Sequence, residues 1–151
     1  MPQLELEAIA RGVVDSNRYM TLGTADESGA PWVSPVFYAA AEYRHFFWVS
    51  SPEARHSRNI ATRPRVSIVI FDSQAPVDMG QGVYISAVAE EVTGIDVDRG
   101  IEIFSPWAAA HGAGVWTRDS VQPPAGNRLY RVSAAEFFVL DTSYRRTPVS
   151  L

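Results

Sequence analysis

The sequence predicts a mainly β fold with flanking helices, arranged as a closed or nearly closed antiparallel barrel. Three observations predict it. Seven short β-prone runs are separated by Gly-, Pro- and Asp-containing turns, and the longest of them, GVYISAVAEEVT at 82–93, alternates as antiparallel strands do. Only two or three segments have helical character. At 151 residues and 46% hydrophobic, the chain reads as one domain spanning 1–151, with enough apolar residues for a real core.

The elements follow in order. Leu6, Ile9, Val13 and Val14 share one helical face, so 4–16 is an amphipathic opening helix. YMTLGTA (19–25) and WVSPVFYA (32–39) flank the turn DESGAP and form a hairpin; RHFFWVS (44–50) is a third strand. Residues 53–62 have helical composition and must stop before Arg63-Pro64, because the residue before proline is pushed out of the α region. RVSIVIF (65–71) is a strand, and the polar stretch DSQAPVDMGQ leads into 82–93. Asp96 is placed to cap a short helix through Phe104. Residues 105–127 are rich in Gly, Pro and Ala and read as a long irregular stretch, a length usually tied to function. The strands 128–133 and 136–141 complete the set.

Composition excludes several chemistries. There is no cysteine, and all thirteen basic residues are arginine. Thiolate catalysis, disulfides, lysine Schiff bases and a Walker-type phosphate loop are therefore out, and redox work would need a cofactor. A net charge of −4 argues against nucleic-acid or membrane-surface binding. The amino-terminal segment has acids where a signal peptide needs basic residues, and no apolar run approaches the ~20 residues of a membrane span, so a cytoplasmic protein is expected. Against this acidic background, residues 54–71 contain no acid and four arginines, Arg55, Arg58, Arg63 and Arg65, beside His56. Such a patch suits a small anionic ligand.

Other signals carry less. His45 and His111 have no partner at metal-ligand spacing, and no metal site is expected. Glu90 and Glu91 are adjacent on a strand and point to opposite faces. The pair His56 and Ser57 has no acid placed to complete a hydrolytic triad. Trp107 and Trp116 are placed to cover the open face of a bound ring.

The order of hairpin, third strand ending at Ser50, SPEARHSRNI, RPRVSIVIF and GVYISAVAEEV resembles the pyridoxamine 5′-phosphate oxidase-like, FMN-binding split-barrel superfamily over residues 5–141. The family segment reads Thr/Ser-x-x-x-Ser-Arg-Lys-x-x-x-Leu and then Asn-Pro-Arg-Val. Here Ser50, Ser51, Ala54, Arg55, His56 and Ile60 precede Arg63-Pro64-Arg65-Val66, with His56 in place of the family's Lys and Ala54 in place of its Ser.

The resemblance implies an antiparallel, Greek-key-like split barrel that dimerises with a second copy and binds FMN at the shared interface. It puts Ser50, Ser51, Arg55, His56 and Ser57 around the FMN phosphate, and Val33, Ser34, Pro35 and Val36 along the isoalloxazine ring. Gln81 and Tyr84 would reach the flavin held mainly by the other subunit. Where the oxidase has a ring-side Arg and Arg-Leu-His-Asp-Arg, this chain has Ser34 and Arg128-Leu129-Tyr130-Arg131, so vitamin B6 oxidation is not expected. The leading expectation is an FMN-binding oxidoreductase acting on an unidentified small molecule. The alternatives are a reductase of the same fold using the deazaflavin F420, whose long anionic tail would also engage Arg58 and Arg63, and a non-catalytic flavin or haem carrier or sensor.

Overall fold

In the computed structural model, which describes residues 2–151, the chain runs α1 (Gln3–Ser16), β1 (Tyr19–Ala25), β2 (Pro31–Phe37), β3 (Ala39–Ala41), β4 (His45–Ser50), α2 (Arg55–Thr62), β5 (Arg65–Phe71), β6 (Gly82–Glu91), α3 (Asp96–Ala110), a 3-10 turn (Arg118–Val121), β7 (Arg128–Leu140) and β8 (Arg146–Val149). The strands form one antiparallel sheet in the order β2-β1-β5-β6-β7-β4-β3, with β8 beside β7. It curls into a half-barrel. The inner face buries Met20, Leu22, Phe46, Trp48, Ile68, Ile70, Val83, Ile85, Val132 and Val139, and α1 covers it with Leu6, Ala10 and Val14. Fully burying each large aliphatic side chain contributes ~1.5–3 kcal/mol, which is why the period of two in the strands and the apolar stripe of α1 fix the sheet's inside. A second cluster sits where α3 lays Val97, Phe104 and Ala108 on Ala39, Phe47 and Leu129. Gly100 permits that approach, since a Cβ there would stand 2.6 Å from Leu129 Cδ2.

Several expectations need correction. The run 32–39 is not one strand: Tyr38 turns inward, is fully buried and donates its hydroxyl to the Val14 carbonyl (2.6 Å), and the chain then pairs with β4. The helix expected from 53 begins at Arg55, because Pro52 and Glu53 lie in a turn where Ser51 Oγ accepts the Glu53 N–H (3.1 Å). Strand β6 ends at Glu91, two residues early, as Val92 donates its N–H to the Leu129 carbonyl (2.8 Å). Asp96 is the first helical residue of α3, not its cap, and makes no capping bond.

That helix does not stop at Phe104; it passes through Pro106 to Ala110. Burial of Phe104 and Ala108 outweighs the one N–H that proline removes. The two carboxy-terminal strands are one, β7, with a bulge at Ala135: Ser86 faces Glu136 while Ala87 faces Ala134. β8 was not anticipated. Asp141 builds the turn into it by accepting the Ser143 N–H (2.7 Å), the Arg145 N–H (3.0 Å) and the Thr147 hydroxyl (3.1 Å), bonds that hold its carboxyl below the ordinary range. Among the described residues no helix is long and apolar enough to cross a membrane.

Candidate functional site

The sheet face turned away from the core carries the candidate site. Register sets Gly23 between Val33 of β2 and Ser67 of β5, and Ser67 against Ser86 of β6. Two residues along, Pro35, Thr21, Val69, Tyr84 and Phe138 run across five strands. Small side chains in the first row leave a trough, made of two adjoining hollows of about 340 and 460 Å³ that share Gly23, Val33, Ser67 and Ser86. Gly23 keeps its floor low: a Cβ there would meet the Ser67 carbonyl oxygen at 3.2 Å and Val33 Cγ1 at 3.8 Å. Among the described residues no carboxylate or histidine lines the trough, which has Arg65 and Trp32 at one end and Arg146 beside Tyr84 at the other.

The first turn of α2 abuts the Trp32 end. Arg55 places its guanidinium carbon 4.3 Å from the centre of the Trp32 ring. His56 Nε2 is 2.9 Å from Ser50 Oγ, and burial holds this imidazole below its ordinary pKa of 6.5. Ser57 is buried, with its Oγ beside the Tyr130 hydroxyl. Asn59 Nδ2 donates to Thr24 Oγ1 (3.0 Å), which in turn donates to the Trp32 carbonyl (3.3 Å), so helix and trough are fixed to each other. Arg63 donates to the Glu27 carbonyl (2.8 Å) in the turn between β1 and β2. The cap residue Ala54 supplies no side-chain acceptor, so no side chain caps the first turn of α2, which carries Arg55 and His56 and adjoins Ser50. That arrangement can hold an anion.

The residues singled out from the sequence are only partly brought together. Arg55, His56, Ser50 and Ser57 cluster at the start of α2, while Ser51 caps the preceding turn. In the stretch 33–36, Val33 and Pro35 lie exposed on the outer face, but Val36 points into the core. Ser34 lies half-buried between them, on the alternation that faces inward. Tyr84 lines the trough. Gln81 leads into β6 with its Oε1 buried and unpartnered.

The two tryptophans expected over a bound ring sit away from the trough. Trp116 packs edge-on against Phe104 (6.0 Å) and gives its indole N–H to the Ala113 carbonyl (2.9 Å), while Trp107 sits on α3 against His111. Neither lines the trough. Arg131 is committed to Glu90, with Asp96 at 3.8 Å; Arg128 donates to the Ala125 and Asn127 carbonyls, and Tyr130 is buried on Trp48. His45 is held below its ordinary pKa by burial and then by Arg131, Arg44 and Arg99, and no cluster of three metal-ligating side chains exists among the described residues. Sequence reasoning missed Thr21, Gly23, Ser67, Ser86 and Arg146. The available signal was Gly, Ser and Thr at outward-facing positions of three neighbouring strands.

A curled antiparallel sheet with a helix start set against its outer trough defines the split-barrel class. The chain belongs to the pyridoxamine 5′-phosphate oxidase family, whose model matches residues 6–140. No curated protein matches the sequence. Among solved structures it is similar to a haem-binding protein from Mycobacterium smegmatis (22% identity, TM-score 0.76, 99% of this chain and 59% of that one). It also resembles an FAD-binding protein from Mesorhizobium loti (20%, 0.67, 91% and 90%) and an F420 reductase (18%, 0.61, 84% and 94%). At these identities the likeness shows the fold.

Proposed function

We propose that the protein binds a phosphorylated flavin-type ring along the outer trough, FMN in the first instance, and serves as an oxidoreductase toward a small molecule. The observation that carries this reading is the seating of Arg55 on Trp32, which brings a cation and the uncapped start of α2 to the end of a trough with no acid in its lining. From Trp32, opposite Thr24, to Tyr84, level with Thr21, the trough runs three strand steps and three residues, roughly 17 Å on the diagonal. That accommodates a fused ring and its phosphate tail together.

Arg55, His56, Ser50 and Ser57 would hold the phosphate. Val33, Pro35, Gly23, Ser67 and Tyr84 would bear on the ring. When bound, such a ring supplies hydride or electron transfer. Among the described residues no carboxylate, histidine or thiol lies along the trough, so the part of this chain is to bind, orient and exclude water.

F420 is the second reading, favoured by Arg65 in the lining and Arg63 on the adjoining turn, which extend the cationic end for a longer anionic tail. Haem needs an axial ligand; none of the three histidines lines the trough, which leaves Tyr84 as the lining side chain that would have to serve. We also propose a homodimer closed over this face, since Tyr19, Trp32, Val33 and Phe71 are left exposed on it. A monomer mass by light scattering with cofactor bound would rule that out. The cofactor itself is tested by the absorption spectrum of the purified protein and the mass of the released ligand. FMN or F420 is expected. Haem, or no ring compound together with no uptake of added FMN, would overturn the proposal.

A further inference from the structure

We propose that the Arg146 end of the trough is a carboxylate subsite for a second, flat small molecule bound beside the cofactor. The inference rests on the reading above, and it concerns a residue outside the stretch 6–140 that the family model matches. Arg146 opens β8, faces Leu140 across the ladder, and sets its guanidinium carbon 4.1 Å from the centre of the Tyr84 ring. Both side chains line the trough.

Three features of this arginine point to a ligand. Its charge has no carboxylate within salt-bridge distance; the ion pairs among the described residues use Arg118 and Arg131. The nearby acid Asp141 is engaged with Ser143, Arg145 and Thr147 in the turn. Stacking on an aromatic ring uses the face of a guanidinium and leaves its N–H groups, which lie in the plane, free to form two parallel bonds to a carboxylate.

The surroundings define the rest of the molecule. Beyond the stretch given to the ring, Phe138 offers apolar surface for a flat body and Ser86 offers a hydroxyl. The charge count selects carboxylate over phosphate. Arg146 is the one cation lining this hollow among the described residues, which balances a monoanion; a phosphate dianion would keep an uncompensated charge.

The test is a calorimetric titration of FMN-loaded protein with benzoate, with benzyl alcohol as its neutral counterpart and phenyl phosphate as the dianion. Benzoate is expected to bind about tenfold or more tightly than benzyl alcohol, and more tightly than phenyl phosphate. With each protein saturated with FMN, Arg146→Gln should erase that preference and Arg146→Lys should restore part of it. Equal binding of benzoate and benzyl alcohol, tighter binding of phenyl phosphate, no benzoate binding, or undiminished benzoate binding by Arg146→Gln would each overturn the assignment. Should the wild-type protein take up no FMN, the same titration is run without it. An Arg146-dependent benzoate preference there would leave the subsite standing while the cofactor reading falls.

Discussion

Replacing Arg55 by alanine separates a phosphate anchor from a solvated surface arginine. A hydrogen bond to a charged partner contributes ~1.5–3 kcal/mol when formed. Arg55 is exposed, and solvent screens it, so the lower end applies. A loss of ~1.5 kcal/mol is about tenfold in Kd. Riboflavin has the same ring and no phosphate, so its affinity should change by less than about twofold on the same substitution. The cation–π contact with Trp32 is lost for both ligands alike and cancels in the comparison. Flavin fluorescence titration of wild type and Arg55→Ala with the two ligands measures the difference. Equal losses for FMN and riboflavin would show that Arg55 acts on the trough wall and not on a phosphate.

Three further outcomes follow from the same geometry. Gly100→Ala drives a methyl to within 2.6 Å of Leu129 Cδ2 and 3.0 Å of Phe47 Cε1, and overpacking of this kind costs about 1–3 kcal/mol, so the melting temperature should fall by roughly 3–10 °C; an unchanged melting point would refute the tight seat of α3. Burial depresses His56 and His45 below 6.5, so between their folded values and 6.5 the unfolded chain binds more protons. Stability is then complete above about pH 6.5 and declines as pH falls below it, which a melting series down to about pH 5.5 detects and which His56→Gln should flatten. FMN-loaded protein should not oxidise pyridoxamine 5′-phosphate, because Arg128 and Arg131 are committed to carbonyls and to Glu90 and Tyr130 is buried; aerobic turnover at about 1 s⁻¹ or faster would contradict that.

The parts of the fold that could be read from sequence are those in which local pattern and burial agree. The first strand of the hairpin around 26–30, the strand ending at Phe71 and the long β6 alternate with a period of two, and the strand ending at Ser50 is a short continuous apolar run, each set between clear turn residues. Where tertiary packing overrides a local signal, the reading failed. Pro106 reads as a stop, yet buried neighbours carry α3 past it. β8 is four residues with a proline, which is tolerated because the strand is an edge and pairs only with β7.

The site divides in the same way. The basic patch is contiguous and was visible, whereas the trough is assembled by register from Gly23, Ser67 and Ser86 on three strands. Val36 shows the opposite error, since alternation along β2 already turns it inward when Val33 and Pro35 face out.

The central claim is that the outer trough is the cofactor site, and Ser67→Trp tests it most directly. Ser67 is exposed at the floor of both hollows, so an indole there fills the trough without entering the core. FMN titration, light scattering and thermal melting of the same sample should show binding lost, by about a hundredfold or more, in a protein that stays folded and keeps the mass of the wild type. Wild-type FMN affinity in a folded Ser67→Trp protein would place the cofactor elsewhere and contradict the account.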